Sequence, residues 1–533
     1  MFSMLRFRKS SHAEILNLNQ LLDRAAADFS QKTALVFGAR RITYRQLGES
    51  VEKLASSLYN LGVRKSDKVA LWLPNCPEFV FSFFAVLRLG AVVVPINTMF
   101  KREEACFIIE DSQAKILICS IDKAKDSENI LARVETLFNL ISLPAPAQNK
   151  LVLSFHDLLR HPKGYFLDSP LAGDDLAQIV YTSGTTGRPK GACLTHKNLI
   201  SNIQDCAKII KFNQRDSLIC ILPLFHSFAL TVCMLLPIYK GGRIVIMRAV
   251  RPFKRVIRAI FRQRVTIFIG VPSIYSILSG IKMTAFQRLA NFFINPIRLC
   301  ISGAAALPVK VSQDFEKKFR RPLLQGYGLT EASPVVSLNP LGGRHIFDSI
   351  GLALPSIKVK VVGKQGQELP CGEVGEILVK GPNVMNGYYN LEEETKKTLK
   401  DGWLYTGDLA KIDPQGFIYI IGRIKEMINV RGFNVYPREI EDLLYQYSGV
   451  KEVAVVGIPH RHRGEVPVAF VVSERELKQK EVIDYLRINL ASYKVPLKIF
   501  FKLELPKNAT GKILKAELQD EVKGTFQNHE QSF

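Results

Sequence analysis

The stretch that decides the fold is a run rich in glycine and hydroxyl side chains, which reads Tyr181-Thr182-Ser183-Gly184-Thr185-Thr186-Gly187-Arg188-Pro189-Lys190-Gly191. It follows the apolar residues 177–180, and this order predicts a strand that ends in a flexible loop. Glycines let the backbone N–H groups of such a loop converge on an anion, while hydroxyls and Lys190 add donors. The run is not a Walker A loop, because Pro189 stands where the second glycine belongs. A phosphate-binding turn is therefore favoured over a bare polar surface loop.

The pattern on either side of this run predicts several domains in a chain of 533 residues. From about residue 17 to residue 290, apolar runs alternate with helical periodicity, which indicates βαβ units around a mostly parallel sheet. Between residues 354 and 421, short alternating runs separated by glycine and proline predict a compact β subdomain. We therefore predict an α/β fold with a large N-terminal domain of mostly parallel βαβ layers plus this β subdomain, and a small mobile α+β C-terminal domain. The predicted boundaries are 1–422 for the large domain, 423–425 for a hinge and 426–533 for the small domain.

Composition narrows the class of protein. Apolar residues make up 47% and charged residues 23% of the chain, which is typical of a globular protein and argues against disorder. Nine cysteines without a C-x-x-C pair fit a reducing compartment and argue against a zinc site. The apolar stretches 79–94 and 218–238 are interrupted by Arg88 or by Pro223 and His226, so they fit buried core better than membrane spans. We therefore expect a cytoplasmic protein.

Three further motifs carry residue types suited to a nucleotide. In Gln325-Gly326-Tyr327-Gly328-Leu329-Thr330-Glu331, the tyrosine ring can pack on a base, with the threonine and glutamate near the phosphates. A carboxylate beside a polyphosphate requires a hard cation such as Mg²⁺ to bridge them. The motif Gly402-Trp403-Leu404-Tyr405-Thr406-Gly407-Asp408-Leu409 offers Asp408 to ribose hydroxyls. The lysine-rich run 507–515 offers Lys512, although a single exposed lysine is weak evidence.

Taken together, the motifs resemble one family. In chain order they are T-S-G-T-T-G-x-P-K-G at 182–191, G-Y-G-L-T-E at 326–331, Y-T-G-D at 405–408, G-R-x-K-E-x-I-x-x-x-G at 422–432 and P-x-x-x-x-G-K at 506–512. This order resembles the adenylate-forming superfamily of acyl-CoA synthetases, peptide-synthetase adenylation domains and beetle luciferases. The resemblance covers nearly the whole chain, and segment 402–442 looks most like the bacterial long-chain fatty acyl-CoA ligases. It implies an AMP-forming acid–thiol ligase that uses ATP, Mg²⁺ and coenzyme A.

The resemblance also implies which residues bind the nucleotide. The triphosphate would be clamped by Thr182, Ser183, Gly184, Thr185, Thr186, Gly187 and Lys190. The adenine would be framed by Gly303, Ala304, Ala305, Gln325, Gly326, Tyr327 and Gly328. Asp408 and Arg423 would hold the ribose, and Thr182 and Glu331 would hold Mg²⁺ beside Thr330.

The same resemblance implies that the catalytic residues are Lys512, His226, Lys425 and Thr330. Lys512 would reach the substrate carboxylate as it attacks the α-phosphorus and pyrophosphate leaves. Because Lys512 must withdraw before a thiol can enter, the small domain would rotate about Lys425 and bring Gly432 to the pantetheine channel.

The segment Pro223-Leu224-Phe225-His226-Ser227 matches the family segment that lines the acyl pocket and gates the carboxylate, although His226 also fits the role of a core histidine. No aspartate stands here to pair with an α-ammonium group, which argues against an amino acid substrate. Apolar residues from 229 to 236 suit a hydrocarbon chain. We therefore expect a medium- or long-chain fatty acid to be activated to acyl-AMP and transferred to coenzyme A. The alternative is an acyl-ACP synthetase, which transfers the acyl group to acyl carrier protein.

The motifs described above do not account for the net charge of +23. The offsets of Arg251, Lys254, Arg255, Arg258 and Arg262 predict one basic face of a helix, with Ile257, Ile260, Phe261 and Val265 largely elsewhere around it. A solvated face is the first interpretation. The second is peripheral contact with an anionic membrane at its inner face, aided by Arg6, Arg8 and Lys9 near the N-terminus. A nucleic acid partner is not expected.

Overall fold

Two large sheets form the centre of the N-terminal domain. The computed structural model describes residues 15–144, 152–160, 170–182, 188–284, 287, 291, 293–343, 345–508 and 511–529, with side chains described up to residue 522. Within these ranges the first sheet has nine strands, of which the six central ones are mutually parallel. Their order across the sheet is Leu352–Ala353, Val335–Leu338, Leu323–Gly328, Leu299–Ser302, Ile267–Gly270, Ser217–Cys220, Arg243–Ile246, Thr33–Phe37 and Arg40–Thr43.

The second sheet has eight described strands and again six parallel members. Their order is Gly387–Tyr388, Lys190–Thr195, Leu176–Thr182, Val92–Pro95, Lys68–Trp72, Ala114–Ser120, Asn139–Leu143 and Val152–Ser154. Parallel strands such as Val92–Pro95 are buried throughout, as expected for a sheet covered on both faces. Since Leu176–Thr182 pairs antiparallel with Lys190–Thr195, the glycine-rich run connects two adjacent strands.

Helices cover these sheets, and polar caps fix where several of them begin. Thr195 starts helix His196–Ile209 with a capping box, in which its hydroxyl accepts from the Asn198 N–H at 3.1 Å and the Asn198 side chain accepts from the Thr195 N–H at 2.8 Å. The other described α-helices of this domain are Leu18–Asp28, Tyr44–Asn60, Pro77–Arg88, Arg102–Asp111, Ala124–Arg133, Phe155–Arg160, Ser227–Ala229, Leu236–Tyr239, Phe253–Arg262, Pro272–Gly280, Val309–Phe319 and Glu392–Thr398.

The β subdomain is an antiparallel sheet of short strands. Its order is Lys358–Val362, Gly375–Lys380, Trp403–Ile412 and Leu399–Lys400, and Ile418–Arg423 also pairs with Trp403–Ile412, at its C-terminal half. Alternating burial along these strands matches a sheet with one face packed and one solvated. The last of them leads directly into the C-terminal domain.

The C-terminal domain is separate and has its own buried cores. Its sheet runs Phe433–Val435, Ile428–Val430, Gly464–Ser473 and Val450–His460, with Ile499–Lys502 parallel to Gly464–Ser473. Its helices are Pro437–Gln446, Gln479–Asn489 and Lys515–His529. The predicted fold class is therefore confirmed.

The two apolar stretches are buried elements. Residues 79–94 form most of helix Pro77–Arg88 and strand Val92–Pro95, and residues 218–238 form most of strand Ser217–Cys220 and the helical segment up to Tyr239. Within the described ranges, none of the helices combines the length and the apolar composition needed to cross a membrane.

Candidate active site

Two adjoining cavities lie where strands Leu299–Ser302 and Leu323–Gly328 end. The carboxyl ends of parallel strands are the usual ligand position in open α/β sheets. The polar cavity encloses about 280 Å³ and lies between the large domain and the C-terminal domain. The apolar cavity encloses about 60 Å³. They share Ala304, Gly326, Tyr327 and Gly328 as wall residues.

The cavities bring together many of the predicted site residues. Those that line the polar cavity are Ala304, Ala305, Gln325, Gly326, Tyr327, Gly328, Asp408, Arg423 and Lys512. The apolar cavity adds His226, Gly303 and Thr330. Thr182, Lys190, Glu331, Lys425 and Gly432 line neither cavity. Ser183, Gly184, Thr185, Thr186 and Gly187 lie outside the described residues.

A buried carboxylate forms one wall of the polar cavity. Asp408 and Arg423 face each other on paired strands, and Arg423 Nε lies 2.8 Å from Asp408 Oδ1. The Tyr327 hydroxyl donates to Asp408 Oδ2 at 2.5 Å. Burial and the charge of Asp408 raise the pKa of Tyr327, so its hydroxyl stays protonated and can donate. The carboxylate is thus fixed in place where a polar ligand group can reach it.

A Cβ would come too close to neighbouring atoms at two glycines of the cavity walls. A Cβ on Gly328 would lie 2.1 Å from the carbonyl oxygen of Pro334, because strands Leu323–Gly328 and Val335–Leu338 approach closely there. A Cβ on Gly303 would lie 2.8 Å from the ring of Phe228. The second glycine therefore lets an aromatic ring lie against the end of a parallel strand.

Lys512 reaches the polar cavity from the C-terminal domain. Its N–H donates to Asn508 Oδ1 at 2.9 Å, and Gly511 has φ of 78°, so the loop turns sharply before the lysine. Burial lowers the pKa of Lys512, and so does the nearby charge of Arg423. Within the described ranges, its ammonium group forms no ion pair. A cationic side chain therefore points to the place where an anion would bind.

A cluster of three charged side chains holds this loop. Lys515 lies 3.0 Å from Glu426 and 2.8 Å from Glu441. Burial lowers the pKa of Lys515, but the two carboxylates more than offset this effect and raise it overall. The sequence prediction gave none of the three a role, because only their approach in space reveals the cluster.

His226 lies at the wall of the apolar cavity. Burial lowers its pKa to about 4, so the imidazole is neutral near pH 7. Its Nδ1 accepts from the Phe228 N–H at 3.3 Å, and the neighbouring Ser227 hydroxyl lies 3.1 Å from that of Thr330. Residues Leu230–Leu235 then form a π-helical turn, a geometry often found at functional sites, and Val232 from this turn lines the cavity.

The described ends of the glycine-rich run lie beside a group of acidic and aromatic side chains. The Thr182 hydroxyl donates to the Lys190 carbonyl oxygen at 3.4 Å. Lys190 forms an ion pair with Glu394. The Tyr388 hydroxyl donates to Glu331 Oε1 at 2.9 Å. Glu394 and Tyr388 were missed by the sequence analysis, because neither belongs to a motif that it used.

These residues fit a magnesium ion held together with phosphates. Mg²⁺ in nucleotide sites usually keeps several waters and takes one or two protein ligands. Tyr388 donates to Oε1 of Glu331, and among the described residues no hydrogen bond or ion pair engages the other oxygen, while Thr182 supplies a hydroxyl. No group of three or more His, Cys, Asp or Glu side chains suited to a metal occurs in the described ranges.

Lys425 and Gly432 lie away from both cavities. Lys425 is exposed in the short 3₁₀ turn Ile424–Glu426 that follows strand Ile418–Arg423. Gly432 is exposed in the turn between Ile428–Val430 and Phe433–Val435, with φ of 87°, and its N–H donates to Asn429 Oδ1 at 2.9 Å. The structure therefore places Lys512, and not Gly432, at the polar cavity.

Comparison with known proteins gives the same family for both parts of the chain. The profile of the AMP-binding enzyme family matches residues 22–389, and that of the AMP-binding enzyme C-terminal domain matches residues 439–512. A long-chain-fatty-acid–CoA ligase of Bacillus subtilis strain 168 is 36% identical over 95% of this chain and 94% of its own length. A feruloyl-CoA synthase of an Amycolatopsis species is 35% identical over 91% of this chain and 95% of its own. The crystal structure of ATP-bound MatB from Rhodopseudomonas palustris is 32% identical, with a TM-score of 0.87 over 96% of this chain and 100% of that one.

The fold, its separate C-terminal domain and these matches define an adenylate-forming enzyme. The chain belongs to the AMP-binding enzyme family, and it is an acid–thiol ligase of the acyl-CoA ligase type. ATP and coenzyme A are the substrates of such ligases. The resemblance inferred from the motifs is confirmed.

Proposed function

We propose that the enzyme activates a medium- or long-chain fatty acid to acyl-AMP, releases pyrophosphate, and transfers the acyl group to coenzyme A. The observation that carries this proposal is the apolar cavity, which His226 lines and which shares wall residues with the polar cavity. Its described walls include Val232, Leu236 and Leu338, with no carboxylate among them. These walls suit a carboxylic acid whose apolar part lies in the apolar cavity and whose carboxylate faces the polar cavity.

We assign the nucleotide to the polar cavity. Asp408 and Arg423 would take the ribose hydroxyls, and the strand end that carries Tyr327 would take the base. Thr182 and Lys190 would clamp the triphosphate, and Thr182 and Glu331 would hold Mg²⁺, which shields the charge of the phosphates when bound. Lys512 would then stabilise the negative charge that develops as the carboxylate attacks the α-phosphorus.

The size of the apolar cavity supports a second candidate substrate. Its volume of about 60 Å³ falls well below the roughly 300 Å³ at which ligand pockets usually begin. A hydrocarbon chain would have to displace the walls formed by helix His196–Ile209 and the π-helical turn, whereas a short or aromatic acid needs less space. A small aromatic acid is therefore the second candidate.

A substrate panel separates these candidates. We expect acid-dependent release of pyrophosphate to increase with chain length from butanoate to medium- or long-chain acids, and ferulate and benzoate to be poorer substrates by kcat/KM. The same assay with coenzyme A and with acyl carrier protein as thiol acceptors tests the acyl-ACP alternative. Preference for ferulate or benzoate over every aliphatic acid would contradict the fatty acid assignment.

The phosphate clamp gives a first mutational prediction. Thr182→Asp should raise the ATP KM at least about 10-fold, because a new carboxylate would repel the phosphates at short range. Thr182→Val is the matched control, since it removes the hydroxyl without adding charge and should raise the KM less. Steady-state kinetics with varied MgATP provide the measurement. An unchanged KM in Thr182→Asp would show that the triphosphate lies elsewhere.

We also propose the boundaries 1–422, 423–425 and 426–533 for the large domain, the hinge and the mobile domain. Buried residues of the C-terminal cores begin at Ile428, whereas strand Ile418–Arg423 still belongs to the β subdomain sheet. In the chain, the short turn Ile424–Glu426 connects the two parts. Rotation at this turn would exchange Lys512 for Gly432 at the cavity.

Peripheral membrane contact remains a proposal for the basic helix. Helix Phe253–Arg262 begins after Arg251, so the predicted stripe lies partly on the preceding loop. Ile260 and Val265 are buried, whereas Ile257 and Phe261 on the same segment are 37% and 39% exposed. An exposed mixture of basic and apolar side chains suits an anionic bilayer surface better than a purely solvated face. Arg6, Arg8 and Lys9 lie outside the described residues.

The membrane proposal predicts salt-sensitive binding. Wild-type protein should sediment with vesicles that contain anionic lipid at low salt, and a variant with Gln at the five basic positions 251, 254, 255, 258 and 262 should not. Each basic residue near such a surface contributes about 1 kcal/mol. Zwitterionic vesicles serve as the control. Equal sedimentation of both proteins would show that the stripe is only a solvated face.

A further inference from the structure

Lys190, the lysine of the proposed phosphate clamp, is already paired in the structure. Its ammonium group forms an ion pair with Glu394 and lies 5.4 Å from the centroid of the Tyr388 ring. The Lys190 side chain is only 14% exposed, so water competes weakly for it. Glu394 comes from helix Glu392–Thr398, about two hundred residues further along the chain. A separate element of the fold therefore holds the clamp lysine.

The partner is an ionised carboxylate that is itself held in place. Lys397 donates to the second oxygen of Glu394 at 2.8 Å, one turn along the same helix. Hydrogen bonds from Lys190 and Lys397 lower the pKa of Glu394 to about 2, so the carboxylate is charged near neutral pH. One helical turn thus presents a fixed negative charge to Lys190.

Glu394 is the second carboxylate in this part of the site. Tyr388 contacts Lys190 through its ring and Glu331 through its hydroxyl, so one tyrosine joins the Lys190–Glu394 pair to the other carboxylate. The proposed function assigns Glu331 the role of a magnesium ligand, whereas it assigns no role to Glu394. A polyphosphate that approaches Lys190 meets the charge of Glu394 and competes with it for the same ammonium group.

We propose that Glu394 is a positioning residue that holds Lys190 while no nucleotide is bound, yields it to the phosphates of ATP, and takes it back as pyrophosphate leaves. The inference rests on the proposed role of Lys190 in the phosphate clamp. No covalent bond changes, since one ion pair replaces another. Glu394 weakens the binding of ATP and pyrophosphate alike, and it thereby favours release of the product.

The test compares Glu394→Gln with a matched control on the same helical turn. Glu393→Gln is that control, because Glu393 is exposed and bonds to Lys396, away from the clamp. Removing the competing charge should tighten pyrophosphate binding to Glu394→Gln about 3- to 10-fold by calorimetry. The ATP KM should fall by a similar factor while kcat stays equal or falls. AMP binding should not change, because AMP lacks the phosphates that Lys190 would contact.

A merely structural role of Glu394 would not separate pyrophosphate from AMP in this way. Unchanged or weaker pyrophosphate binding in Glu394→Gln, with AMP binding intact, would overturn the inference and leave the proposed function standing. An equal gain in Glu393→Gln would also overturn it, since the effect would then be general electrostatics. Failure of the wild-type enzyme to bind ATP or pyrophosphate at all would instead overturn the proposed phosphate site itself.

Discussion

Replacing Lys512 with alanine should slow acyl-adenylate formation about 100- to 1,000-fold, the usual effect of removing one charge-stabilising group from an enzyme site. Lys512 lines the polar cavity beside Arg423. It is the residue of the C-terminal loop that we propose to contact the reacting carboxylate. Thioester formation from supplied acyl-AMP and coenzyme A should be largely retained, because Lys512 must leave before the thiol enters. Separate assays of the two half-reactions provide the measurement.

Lys480→Ala is the matched control for this variant. Lys480 is an exposed lysine in helix Gln479–Asn489 of the same domain, remote in sequence from the cavity loop. It should leave both half-reactions at the wild-type rate. Equal losses in both half-reactions for Lys512→Ala would contradict a lysine that serves the first step alone.

Replacing Lys425 with proline should have the opposite effect. Proline fixes φ near −65° and so restricts rotation in the single short turn that joins the two domains. Adenylate formation should continue, because the structure already holds Lys512 at the polar cavity. Overall ligation should fall about 100-fold, the scale of loss that misplaced reacting groups cause. Stopped-flow measurement of acyl-AMP build-up against thioester appearance separates the two steps.

Lys425→Ala controls for the loss of the side chain, since it removes the same charge but leaves φ free. We expect it to ligate much faster than Lys425→Pro. Wild-type ligation by Lys425→Pro would show that rotation does not occur at this residue. Equal losses in the alanine and proline variants would assign the effect to the side chain and not to the backbone.

Much of the fold could be predicted because it depends on local patterns. Strands Lys358–Val362 and Gly375–Lys380 lie in the region 354–421 where alternation predicts a β subdomain, and the buried parallel strands correspond to short continuous apolar runs in the sequence. The cavity residues Tyr327, Asp408 and Lys512 could be named because each lies in a motif. Such motifs contain side chains that bind a ligand, and they can therefore be identified in a sequence without knowledge of the fold.

Contacts between distant segments could not be predicted in this way. The pairing of Lys190 with Glu394 depends on strand Gly387–Tyr388 extending the second sheet next to Lys190–Thr195, which no local pattern reveals. The exposure of Ile257 and Phe261 could not be predicted either, because helical periodicity does not reveal how much of an apolar side the rest of the fold covers. The volume of the apolar cavity follows from packing between two helices and a strand end, and it is likewise invisible in the sequence.

The most direct test of the central claim is isotope exchange between pyrophosphate and ATP in the absence of any thiol. The account predicts exchange that requires a carboxylic acid and Mg²⁺, that is fastest with medium- or long-chain fatty acids, and that does not need coenzyme A. Subsequent addition of coenzyme A should convert the bound acyl-AMP to a thioester and AMP. Exchange that requires coenzyme A, or products that consist of ADP and phosphate, would contradict an acyl-adenylate intermediate.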